Sequence, residues 1–270
     1  MAVTLSARRI FGLANEARGV AKSLQAELPA GHGGSVVVSG VLAEQLVREL
    51  GAGARSGTVQ LGGDVPTASS DVAVRVIAGD PSDADLAFVR AADRRAVPVV
   101  IVQLWPQADW TRPFVLSPFV VECEAGKGFP VREIADRIVD AAEQASLLAS
   151  GIPALRPSIE RKIVLSSVVY VATLAALERR RAARPLIMRE QVRMLARLSA
   201  TGERGPGMFE EPAALGAATG ALLASGFALR EVARTARSLL PAPIANALVA
   251  GIGTWTLGAA ARAFGSRAAS

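Results

Sequence analysis

The sequence predicts an α/β domain with a parallel sheet, followed by an all-helical segment rich in Ala and Gly. Three observations predict this. Strand-like and helix-like runs alternate between residues 35 and 150. The apolar run VPVVIV at 97–102 is continuous, as in a strand covered on both faces. After Gly151 no strand pattern remains and only helical periodicity is left. The chain therefore divides into an amino-terminal helix and linker (1–34), an α/β domain (35–150) and a helical domain (158–270), with a linker at Ile152–Pro157.

The elements follow in order. Leu5, Ile10, Leu13, Ala17, Val20 and Leu24 share a helical face over 5–28, which Pro29 and Gly31–Gly34 end. Val36–Val38 is a short buried strand, and Val41–Leu50 a helix stopped by Gly51. Thr58–Leu61 reads as an edge strand. Asp71–Ala78 is a strand, Gly79-Asp80-Pro81 a turn, and Ser82 an N-cap with Asp85 at the third helical position. That helix runs to about Ala96, and Val97–Val102 is the next strand. Strand, helix and strand make a βαβ unit, which predicts a parallel pair with a right-handed crossover. Phe119–Val121 is a further strand. Pro130–Ser150 reads as one helix with Ile134, Ile138, Ala141, Ala145 and Leu148 on one face, and a Glu133–Arg137 pair on the other. Helices follow at 158–182, 186–200, 212–237 and 243–264.

Composition excludes several classes of chemistry. One cysteine, Cys123, allows no internal disulfide and fits a reducing compartment. One cysteine and one histidine, His32, cannot build a zinc site of the usual kind. The amino terminus lacks the apolar core of a signal peptide, because Arg8, Arg9, Glu16 and Arg18 interrupt it. The expected location is the cytoplasm or the cytoplasmic face of a membrane. The net charge of +6 is uneven: residues 1–150 carry 14 basic and 17 acidic groups, and residues 151–270 carry 16 and 7. Few aromatics interleave with the basic residues, so nucleic acid is not an expected partner.

Ligands of open parallel sheets bind at the carboxyl ends of the strands. After Val36–Val38 comes Ser39-Gly40-Val41-Leu42. A phosphate loop needs GxxxxGK[ST], and no GK[ST] occurs in the chain. The segment DVAVRVIAGDPSDADLAFVRAADRRAVPVVIVQ nevertheless resembles the later half of an Era-like GTPase domain. That resemblance implies an NKxD motif at the next strand end, where Asn and Asp read guanine. Leu104-Trp105-Pro106-Gln107 stands there instead. It also implies a SAK-type loop one strand later, where FVVECEAGKGFPVREIADRIV keeps strand, glycine loop and helix with altered polar residues. A triphosphate would meet neither wrapped amides nor a Lys nor a magnesium ligand. The expectation is a degenerate GTPase-like domain with no catalytic residue, no cofactor and no metal.

In the carboxyl-terminal half, PLIMREQVRMLARLSATG (185–202) and LLPAPIANALVAGIGTWTLGAAARAF (239–264) resemble the YcjF-like domain, a bacterial domain of unknown function that often accompanies GTPase domains. The matching marks are Gln191–Met194, Pro241, Asn246, Thr254 and Gly258. The resemblance supports the GTPase-like reading by association and names no catalytic residue.

Small residues, Gly216, Gly220, Gly251, Gly253 and Gly258, suit close helix packing in lipid or in protein. Three stretches lack charge: Ile163–Leu177, Pro212–Leu229 and Ser238–Ala261. The last two are long enough for a hairpin, with Arg230, Arg234 and Arg237 in a cytoplasmic turn. A soluble bundle and peripheral association remain open beside it. Arg189, Arg193 and Arg197 at i, i+4 and i+8 form one stripe, either a solvated face or a contact for an anionic membrane or acidic partner. Glu122 and Glu124 should disfavour a Cys123 thiolate. Trp105, Pro106 and Trp110 read as a capped sheet edge or a partner pocket, and His32 as a solvent-exposed loop residue. The functional expectation is a non-catalytic interaction or regulatory protein with a protein partner, at the cytoplasmic membrane face. The alternatives are a divergent nucleotide hydrolase using Gly31–Gly34 with Ser35, and an integral membrane component.

Overall fold

A computed structural model describes residues 34–64, 69–106, 119–177, 184–201 and 240–267. The expected helix at 5–28, the Gly31–Gly34 loop up to Gly33, His32, Trp110 and the segment 212–237 lie outside the described residues. The described chain falls into two units that divide between Ile159 and Glu160.

The first unit is built on five strands: β1 (Val36–Gly40), β2 (Val59–Leu61), β3 (Val72–Ala78), β4 (Val99–Leu104) and β5 (Val120–Cys123). All neighbouring pairs are parallel, in the order β2-β1-β3-β4-β5. β-branched residues dominate these strands, as a sheet buried on both faces requires. Val38, Val74 and Val100 stand in register across the sheet, and none is exposed to solvent. β2 is short and open on one side, which limits further pairing at that edge.

The helices follow from their apolar faces and ends. In α1 (Ala43–Leu50), Ala43, Leu46 and Leu50 are buried, and Gly51 ends the helix. In α2 (Asp83–Asp93), the Ser82 hydroxyl accepts from the Asp85 amide while the Asp85 carboxylate accepts from the Ser82 amide, a complete capping box. Phe88, Val89 and Ala92 then pack on Ala73, Ile77, Val99, Ile101 and Val120.

Three expectations are corrected here. The helix expected over 130–150 is two, α3 (Val131–Ala141) and α4 (Ala145–Gly151). Ala142 is buried and extended at φ −73° and ψ 131°, which redirects the chain so that Leu148 and Ala149 reach the core. Arg137 faces Asp140 at 3.7 Å rather than pairing with Glu133. The expected linker is ordered: a short 3₁₀ turn, Pro153–Leu155, links α4 to α5 (Arg156–Leu177), with Ile152 and Leu155 in the core. Two apolar side chains draw this segment inward despite its two prolines.

The second unit contains α5 from Glu160 onward, α6 (Arg184–Thr201) and α7 (Ala242–Arg267). Val164, Met194, Leu195, Leu198 and Leu257 form its core. Gly258 lies so close to Val164 that an added Cβ would stand 2.6 Å from Val164 Cγ2, and Gly251 leaves ordinary contact distance to Val168 and Ala172. Two polar ties cross the helices: Ser167 Oγ donates to Glu190 Oε1 at 2.9 Å, and Gln191 Nε2 donates to Thr254 Oγ1 at 3.1 Å.

Candidate functional site

The strand order places β1 between β2 and β3, so the chain leaves β1 in one direction and continues from β3 in the other. Such a point opens a crevice beyond the strand ends. A crevice of about 850 Å³ lies there, lined by the ends of β1, β2 and β3 and by the first turns of α1 and α2.

Only Val41 and Leu42 connect β1 to α1. Gly40 has φ +100°, and a Cβ there would collide with the Val76 carbonyl oxygen, so only glycine fits. The Val41 N–H donates to that same oxygen at 3.1 Å and is withheld from any ligand. Leu42 is the N-cap of α1 in the left-handed region, at φ 55°, and supplies no side-chain cap. Val41 and Leu42 are about half exposed. This connection is too short to wrap a polyphosphate, and it presents apolar side chains where phosphate oxygens would sit.

The lining carries four carboxylates, Glu44, Asp64, Asp80 and Asp85, and two guanidinium groups, Arg48 and Arg75. The balance is unfavourable for a polyanion. Arg75 rises from the middle of β3, and its side chain is 9% exposed. Its Nε donates to Asp85 Oδ1 at 2.8 Å, its Nη1 lies 3.4 Å from Ser39 Oγ, and its guanidinium stacks 5.0 Å from the Phe88 ring centroid. Burial pushes the Asp85 carboxyl up, but the Ser82 hydroxyl and amide, with Arg75, outweigh it and hold the group below the usual Asp range.

Sequence reasoning assigned Asp85 only to the cap and Arg75 to nothing. The signal was present: an arginine inside DVAVRVIA needs a buried anion, because a strand covered on both faces offers no water. Gln103 was missed likewise. It is fully buried on β4, and its Nε2 donates to the Gly79 and Leu104 carbonyls at 2.8 and 3.3 Å. It thereby braces the turn that leads into α2.

Cys123 is buried at the end of β5. Its thiol is pushed up to about 11, by burial first and by the charge of Glu133 second. The expected cause, Glu122 and Glu124, is thus replaced. Trp105 sits at φ 49° and is 51% exposed, with its N–H donating to the Cys123 carbonyl at 2.8 Å. Among the described residues no group of three or more His, Cys, Asp and Glu side chains is arranged to hold a metal.

In the second unit, Arg189, Arg193 and Arg197 lie along α6, with Arg189 exposed and the other two half-buried. The stripe therefore does not form one uniformly solvated face. On α7, Ile244, Leu248, Ile252 and Trp255 are 41–52% exposed and recur at helical spacing. With Val168, Ala172 and Ala176 of α5 they border an apolar groove of about 540 Å³. Residues Ala242–Ala263 are long and apolar enough to cross a membrane by length and composition, and a third of the most apolar window is buried. A core helix of a soluble protein passes the same test.

No family model, curated protein or solved structure matches this chain.

Proposed function

We propose that this chain is a non-catalytic interaction protein of the cytoplasmic membrane face, with a GTPase-like α/β unit that has lost its phosphate loop and a YcjF-like helical unit that meets lipid. The observation that carries the reading is the row Ile244, Leu248, Ile252 and Trp255 on α7, four large apolar side chains left open to solvent on a 22-residue apolar stretch. Water around such a row is replaced favourably by acyl chains. The arginines of α6 and the basic excess of the carboxyl-terminal half add attraction to anionic headgroups and to an acidic protein partner.

The non-catalytic part draws support from the α/β unit. Its all-parallel sheet and its open switch-point crevice are compatible with a GTPase-like ancestry. The two-residue β1–α1 connection, the Val41–Val76 hydrogen bond and the acidic lining oppose a bound triphosphate. Calorimetry of the full chain with GTP and magnesium tests this: no binding at about millimolar nucleotide is expected, and micromolar affinity overturns it.

A second reading is full insertion. At 1.5 Å per residue the 22 residues of Ala242–Ala263 span about 33 Å, close to a hydrocarbon core. Sodium carbonate washing of membranes separates the readings, because a peripheral protein is released and a spanning one stays in the pellet.

A further inference from the structure

We propose that the apolar groove between α5 and α7 holds one acyl chain of an anionic membrane lipid, with the headgroup at the end marked by Arg161 and Arg262. The inference rests on the membrane reading above and adds to it what is bound, in which direction and by which residues.

The groove is narrow because small residues line it. Ala172, Ala176, Ala247 and Gly251 let the two helices approach closely, and the larger Leu248 and Trp255 border them. Its volume of about 540 Å³ lies in the range of small-molecule sites. From Pro243 to Trp255 it runs about 18 Å at 1.5 Å per residue. That is close to one leaflet, half of a hydrocarbon core about 30 Å thick. The lining side chains are all apolar or aromatic. A ligand that is polar along its length would give up hydrogen bonds to water there, whereas an acyl chain gives up none.

The two ends of the groove differ in charge. Val164 packs on Gly258, while Val168 and Ala172 pack on Gly251, so α5 and α7 run antiparallel. The turn before Val164 therefore meets the turn after Gly258. The first carries Arg161 and Lys162, both exposed, and the second carries Arg262. Arg161 lies seven residues before Val168, and Arg262 seven after Trp255. Seven residues are two helical turns, so both arginines stay on the face that borders the groove. Glu160 is the one acid in these two turns, against three bases. The Arg262 Nε is buried and has no hydrogen-bond partner among the described residues. A phosphate oxygen is a charge-assisted acceptor suited to such a donor. Trp255 stands between this basic end and the apolar stretch, the place an amphipathic indole takes at a lipid interface. The opposite end, at Ala176 and Ile244, continues into the exposed Leu177 and Leu240 and carries no charge. One basic end and one apolar end match an anionic lipid chain in a single orientation.

The test is native mass spectrometry of the purified full chain in mild detergent, with phosphatidylglycerol and phosphatidylcholine of identical chains added in equal amounts. One lipid per chain is expected, with phosphatidylglycerol favoured about fivefold or more. Arg161→Gln with Arg262→Gln should bring the two lipids to nearly equal retention. Ala172→Phe narrows the groove and should remove the adduct while flotation with anionic vesicles persists. The arginine pair lies outside the packed core and decides the matter if Ala172→Phe does not fold. Flotation without a retained lipid, an unchanged preference in the arginine variant, or a dimer mass in place of the adduct would overturn this proposal and leave the membrane reading standing. Absence of both flotation and adduct would overturn the two together.

Discussion

Arg75 donates its Nε–H to Asp85 Oδ1 at 2.8 Å, joining the middle of a central strand to the first turn of the following helix, with both side chains 9% exposed. Asp85 also closes the capping box with Ser82. One carboxylate therefore fixes both where α2 starts and how it sits on the sheet.

Removing one member of this pair leaves the other charge buried. Arg75→Met should destabilise the α/β unit by about 3 kcal/mol, measured by urea unfolding. A value near zero would show that the pair is not needed to hold α2.

The same carboxylate predicts a pH dependence. Its folded-state pKa is depressed, so the unfolded chain binds the proton more tightly. The stabilisation is present above the ordinary Asp range and is lost as pH falls through the lower, folded value. Asp85→Asn should remove that part of the acid slope, read from unfolding midpoints between neutral pH and about pH 3.

Two glycines of positive φ should respond differently. Gly40→Ala meets the Val76 carbonyl and is expected to lower stability by on the order of 3 kcal/mol or more. Gly79→Ala has open space around it and should lose only the conformational term, about 1 kcal/mol. Equal effects in thermal unfolding would contradict the close approach of β1 to β3.

The Cys123 thiol, buried and pushed up to about 11, should react slowly with a thiol reagent at about pH 8 and rapidly after denaturation. Fast labelling of the native protein would mean that the end of β5 opens.

How much of this was legible beforehand follows from what each residue answers to. The strands were readable because Val36–Val38, Val72–Val74 and Val99–Val102 are apolar on both faces, a pattern that few other structures need. The cap at Ser82 was readable because it is settled within four residues. The break at Ala142 was not, since alanine favours a helix and only the core contacts of Leu148 and Ala149 override it. The partner of Cys123 was assigned to its neighbours in sequence, whereas Glu133 of the next helix supplies the field. The carboxyl ends of the strands were readable as the place to look, but the strand order that opens the crevice was not, nor its lining, because Arg75 and Asp85 meet only once α2 has packed on β3.

The central claim is that the open apolar row on α7 meets lipid. The direct measurement is flotation of the purified full chain with vesicles containing anionic lipid, compared with a Leu248→Glu, Ile252→Glu variant. Both positions are more than 40% exposed, so the variant should stay folded. The account predicts that the unaltered chain floats and the variant stays at the bottom of the gradient. Equal flotation of the two, or none of either, would contradict it.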